Sequence, residues 1–149
     1  MGLLDSSAEE PQSKLLRYII TTTVFLLLLW LGYWWLFRFQ TEKKTVETFL
    51  SVLAAGDTQG AYQIWKPSAG YTYDRFLEDW GPSGSLYGPV KSFRVRRASQ
   101  PEGASGVVVT AEVSPYAPFP AETDTEKHRQ TKEVLIWVER RDQSLSFPP

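Results

Sequence analysis

Few side chains in this chain are arranged for chemistry. It has no Cys and a single His, His128. Thiol catalysis, disulfides and thiolate metal sites are therefore excluded. His128 sits in Glu126-Lys127-His128-Arg129, beside two cations that disfavour another proton, and reads as a surface residue. Asp57 follows Gly56 at a helix break, where a carboxylate caps a helix. Asp74 and Glu78 are four residues apart and share one helix face with Asp79 nearby, which suits a solvated surface better than a catalytic pair. Glu112 differs, because it lies within an alternating strand, opposite Val107 and Val109. Enclosed there it would have a raised pKa and could exchange a proton, so it is the one candidate catalytic carboxylate. Arg94, Arg96, Arg97, Arg140 and Arg141 could form a basic strip facing lipid headgroups. A solvated outer sheet face, partnered by Glu133 and Glu139, is the favoured account. There is no HExxH, nucleophile elbow, phosphate loop or metal-ligand spacing, so no metal and no cofactor is expected.

The elements that would hold these groups begin with an apolar stretch. Tyr18 to Phe37 reads YIITTTVFLLLLWLGYWWLF and contains no charge. As a helix it reaches about 30 Å, the thickness of a hydrocarbon core. Thr21, Thr22 and Thr23 can return their hydroxyls to helix carbonyls. Arg17 and Tyr18 mark one interface; Trp34, Trp35 and Arg38 mark the other. A cleaved signal peptide would be shorter and end in small residues, whereas this one exits through Trp34-Trp35-Leu36-Phe37-Arg38. A buried core helix would show a polar stripe. The expected organisation is a disordered tail (1–17), a transmembrane helix (18–38) and one soluble domain (39–149). Met1 to Ser6 also fits a loose N-myristoylation pattern, redundant beside a spanning helix. The flanks carry Lys14 and Arg17 against Arg38, Lys43 and Lys44, nearly a tie on the positive-inside count. The orientation expected is that of a bacterial inner-membrane signal anchor, N-terminus inside and domain extracytoplasmic.

The remaining residues, about 110, suffice for one domain. The formal charge of −1 offers no basic excess for nucleic acid. The lack of any Asn rules out N-glycosylation. Arg38 to Lys44 is a polar bridge without Gly or Pro. Val46, Phe49, Leu50 and Leu53 then give a helical face ended by Gly56. A second helix follows from Thr58 to about Trp65, and a third from the cap Thr72 to Trp80, closed by Gly81-Pro82. Beyond Pro89 the pattern alternates. Strands are expected over Lys91 to Ser99, around Val107 to Val113, over Thr131 to Arg141, and briefly at Leu145 to Phe147. Val134, Ile136 and Val138 face one way and Leu135 and Trp137 the other, as in a strand covered on both sides. Pro115 to Gln130 is long for a hairpin connection and reads foremost as a solvated loop, as two extended arms or a flap; Tyr116 and Phe119, exposed on it, would suit partner contact.

Helices first and antiparallel strands afterwards indicate an α+β fold. The run Val46 to Asp57 with Ala61-Tyr62, then Tyr73 to Trp80, then Leu86-Tyr87-Gly88-Pro89-Val90-Lys91-Ser92-Phe93 resembles the nuclear-transport-factor-two-like superfamily. The resemblance covers roughly residues 41–147. It implies an α+β roll in which about three helices pack on a curved antiparallel sheet and leave a concave mouth. It also implies that Trp65, Tyr73, Phe76, Trp80, Tyr87 and Trp137 line that mouth, either as core or as a pocket for a small apolar ligand. Enzymes with this fold place an acid or base inside the cone, where Glu112 would act with Tyr73 or Tyr87 as donor.

With catalytic groups this sparse, the expected function is a membrane-anchored, non-catalytic binding or accessory module. Its partners would be membrane lipid and other membrane-protein subunits. The alternative is a small ketosteroid-isomerase-like isomerase or dehydratase using a carboxylate base.

Overall fold

The computed structural model describes residues 11–83 and 85–149. The start of the tail and its acylation pattern lie outside the described residues. The chain divides into two units, residues 1–38 and residues 39–149.

The first unit is helix α1, Pro11–Phe37. It starts seven residues before Tyr18, so the part of the tail from Pro11 to Arg17, expected to be disordered, is helical. Thr21 donates to the Arg17 carbonyl and Thr23 to that of Ile19, both at 2.8 Å. Hydroxyls satisfied within the helix need no water, as an apolar surrounding requires. The helix is long and apolar enough to cross a membrane.

The second unit opens with α2, Gln40–Ala54. The expected polar bridge is thus mostly the first turn of this helix. Helix α3, Thr58–Trp65, is capped by Asp57, which accepts from the Gly60 amide at 2.8 Å. A Cβ at Gly60 would collide with that carboxylate, so the cap requires the glycine. Helix α4, Tyr73–Trp80, is capped by Thr72.

Four strands follow: β1 (Ser92–Ser99), β2 (Gly106–Ser114), β3 (Lys132–Glu139) and β4 (Leu145–Ser146). They form an antiparallel meander in the order β1-β2-β3-β4. A short helix, α5 (Thr125–His128), which the sequence pattern did not indicate, lies between β2 and β3 with Asp124 as its cap. It shortens the long connection into two ordered arms.

Period two sets the two sheet faces. Val107, Val109, Ala111 and Val113 of β2 and Val134, Ile136 and Val138 of β3 are all at most 1% exposed. They pack in one core with Val46, Phe49, Leu50 and Leu53 of α2. The opposite face is not covered by helices α2 to α4; Leu135 there is 43% exposed. That face is partly covered instead by the connection between β2 and β3: Thr110 is 4% exposed and Phe119 lies over Arg94. A bulge between Val95 and Arg97 shifts the β1–β2 register, so Val95 pairs with Ala111 and Arg97 with Thr110. Bulges bend and twist a strand, which curls this edge of the sheet.

Candidate functional site

The densest set of large side chains lies between the helices and the inner sheet face. Phe49 comes from α2, Trp65 from α3, Phe76 and Trp80 from α4, and all four are at most 2% exposed. Phe49 lies 5.1 Å from Trp65 and 5.1 Å from Trp80 between ring centroids. Trp65 and Trp80 are 5.7 Å apart with planes at 62°. These tilted and edge contacts suit aromatic quadrupoles, and the rings fill the interior with one another.

Tyrosines form the rim and direct their hydroxyls to polar partners. Tyr73 shares a 2.7 Å hydrogen bond with Thr58. Tyr62 donates to the Tyr71 carbonyl at 2.8 Å. Tyr71 donates to Asp79 at 2.5 Å. Burial, the bond to Asp79 and the charge of that carboxylate all push the Tyr71 phenol well above its ordinary pKa. Trp80 Nε1 is buried near the Tyr71 hydroxyl, without a hydrogen bond of full geometry.

Of the residues expected to line the mouth, Trp65, Tyr73, Trp80 and Tyr87 do gather here with Phe76. Trp137 does not. It projects from the opposite sheet face and lies over Gly106, where any Cβ would overlap the indole. The ring that completes the cluster is Phe147, just beyond β4. It stands 5.2 Å from Trp65, 6.1 Å from Trp80 and 5.7 Å from Tyr87. Alternation in Leu145-Ser146-Phe147 was the available signal, since it places Leu145 and Phe147 on one face. An open cavity of about 320 Å³ borders this corner, with Trp65, Tyr71 and Phe147 in its wall.

Glu112 is not on the sheet face that packs against the helices. It lies on the outer sheet face, paired with Arg96 at 2.8 Å. Its parity in β2 is that of Val108 and Thr110, opposite to the core valines. Its side chain is 18% exposed there and ion-paired, and it does not face the helices. The same bond holds the Arg96 guanidinium above its ordinary pKa. Asp74 and Glu78 are exposed.

The arginine strip is also divided. Arg94 lies 4.5 Å from the centroid of the Phe119 ring. Arg140 instead pairs with Glu42 of α2 at 2.9 Å, because the β3–β4 turn reaches the start of that helix. Tyr116 and Phe119, expected to be exposed, are half-buried under the protein's own cations; Lys127 stands 5.7 Å from the Tyr116 centroid. His128 is half-buried and its Nδ1 has no partner. Among the described residues no three of His, Asp or Glu gather as metal ligands.

In the first unit Arg17, Tyr18, Trp34 and Trp35 are exposed, and the Arg38 guanidinium lies 6.0 Å from the Trp34 ring. Such a pairing suits a headgroup layer, where a ring and a cation both find partners.

No protein-family model, curated protein or solved structure matches the chain.

Proposed function

We propose that the chain is a single-pass, membrane-anchored, non-catalytic binding or accessory module, a subunit or assembly partner of a larger membrane complex. One observation carries this reading. From Leu15 to Phe37 the large apolar side chains of α1 are 48% to 75% exposed, whereas the domain core is at most 6% exposed. Apolar area on that scale is not stable in water and requires lipid or another protein around it. Arg17 and Tyr18 near one helix end, and Trp34, Trp35 and Arg38 near the other, fit a spanning position better than a soluble groove.

The domain would lie near the bilayer, since only Arg38 and Phe39 separate α1 from α2. Two residues span at most about 7 Å. Three helices preceding a bulged antiparallel meander support a nuclear-transport-factor-two-like roll. The Lys and Arg flanking the apolar run of α1, two before it and three after, nearly tie on the positive-inside count, and in the manner of a signal anchor we place the domain outside a bacterial inner membrane. On the domain, the outer sheet face carries Leu135, 43% exposed, and the half-buried Trp137 beside arginines, a composition that suits protein contact. The isomerase alternative required Glu112 within the cone, and its carboxylate lies on the other face.

The test is alkaline carbonate extraction of native membranes, followed by mild-detergent isolation and mass spectrometry. Retention in the pellet with a stoichiometric co-purifying protein is expected. Release into the supernatant would overturn the anchor; a lone monomer in detergent would overturn the accessory role.

A further inference from the structure

The β3–β4 turn brings cations from far along the chain to the start of α2. Arg140 donates through Nε to Glu42 at 2.9 Å and lies 5.9 Å from the centroid of the Phe39 ring. Thr45, one turn further along α2, donates to the Gln143 side chain at 2.8 Å. Lys66, at the end of α3, donates to the Asp142 carbonyl. The turn is thus fastened to α2 at two points. Arg140 and Arg141 are held at the same end of the domain as Lys43 and Lys44.

The carboxylates of this region are already engaged. Glu42 is 5% exposed in its side chain and fixes the Arg140 guanidinium, itself 43% exposed. Asp142 accepts from the Ser144 amide at 2.9 Å, and Glu139 from the Ser105 hydroxyl at 2.8 Å. Glu47 lies a further turn along α2. Lys43, Lys44 and Arg141 pair with no acid among the described residues. Lys44 and Arg141 are exposed and Lys43 is half-buried. Chain length limits how far the lysines can stand from lipid. The bridge between α1 and α2 spans at most about 7 Å. Lys44 follows the start of α2 by one turn, about 6 Å of rise. Headgroups fill about 5–7 Å beyond the hydrocarbon. The backbone at Lys43 and Lys44 therefore stands within about 8 Å of the headgroup layer, one Debye length at physiological salt.

We propose that Lys43, Lys44, Arg140 and Arg141 form a site for the phosphate of an anionic phospholipid, so that the domain holds a particular class of lipid beside its own anchor. The arginines supply planar donors that match phosphate oxygens, and the lysines supply compact charge. An anionic leaflet attracts such a cluster, whereas a zwitterionic one does not. Arg94 and Arg96 take no part, because Phe119 and Glu112 engage them on the outer sheet face. The proposal rests on reading α1 as a membrane anchor and names the lipid class that the anchored domain contacts.

The test places the full chain in nanodiscs of phosphatidylcholine and phosphatidylglycerol in equal parts. Native mass spectrometry then counts which lipid stays on the released protein. Preferential retention of phosphatidylglycerol is expected, weakening as salt is raised. Lys43→Gln/Lys44→Gln/Arg141→Gln is expected to lower that preference by more than about tenfold, since each cation near an anionic surface is worth roughly fivefold. Arg140 stays in place there because it pairs with Glu42. Arg75→Gln/Arg129→Gln removes exposed cations from other parts of the domain and is expected to leave the preference unchanged. Equal retention of the two lipids by the wild type, or an equal loss in both variants, overturns the proposal. Inorganic phosphate that binds in pure phosphatidylcholine nanodiscs while the lipid preference is absent also overturns it, and assigns the cluster to a free anion. The wild-type arms stand if the triple variant fails to fold. A chain that does not enter the nanodisc overturns the anchor and this site together. One that enters without preference overturns the site alone.

Discussion

Trp137 lies directly over Gly106, from neighbouring strands, so that the indole occupies the space a Cβ would need. This contact lies on the outer sheet face, away from the helices. A glycine in a strand gives up packing and backbone entropy, and a cross-strand aromatic ring restores the packing. Gly106→Ala is expected to displace the indole and cost about 1–3 kcal/mol. Chemical denaturation checks the cost. A shift in tryptophan emission, absent from a Gly106→Ala/Trp137→Leu double variant, assigns it to this ring.

Glu42 is 5% exposed in its side chain and takes its one ion pair from Arg140, while its second carboxylate oxygen is buried without a partner. Removing the arginine would leave a buried, uncompensated charge. Arg140→Ala is expected to destabilise the domain by about 1–3 kcal/mol. Adding Glu42→Gln should recover part of that loss. Equal stabilities for the single and double variants would show that the pair is not coupled.

Stability at high pH follows from Tyr71. Its phenol is held well above the ordinary value by burial and by Asp79. In the unfolded chain it ionises near pH 10. Above that pH the unfolded state releases a proton that the folded state keeps, so the contribution of Tyr71 is complete below about pH 10 and declines as pH rises further. Denaturation between pH 9 and 11 should show wild-type stability falling more steeply than that of Tyr71→Phe. Parallel curves would count against the buried pair.

Insertion of α1 is testable by charge. Leu28→Arg, at the centre of the apolar run, is expected to raise the cost of membrane insertion by about 2.5–3.5 kcal/mol. A glycosylation-site reporter engineered beside α1 reads the inserted fraction. The same test with Lys14→Gln should leave insertion unchanged, because that position lies outside the apolar run.

Glu112→Gln is expected to change stability by less than about 1 kcal/mol, since its partner Arg96 is 39% exposed and solvent screens the pair. A much larger loss would mean that the outer sheet face is more enclosed than its exposure implies.

Sequence alone determined what depends on neighbours along the chain. The apolar run of α1 carries its own length and lack of charge. The Asp57 and Thr72 caps lie beside the helices they start, and the alternation in β2 and β3 divides core valines from outer residues without any knowledge of the partner strands. The tertiary structure decided what depends on which face meets which element. Glu112 was legible as a strand carboxylate, but local alternation cannot say which face the helices cover. The family resemblance placed Trp137 at the mouth, and the structure puts it on the outer face. The β1 bulge, the reach of Arg140 to Glu42 and the folding of Phe119 against Arg94 join residues distant in sequence. Phe147 entered the aromatic cluster for the same reason: a three-residue alternation shows that it shares a face with Leu145, and only the packed helices show that Trp65, Trp80 and Tyr87 are waiting on that side.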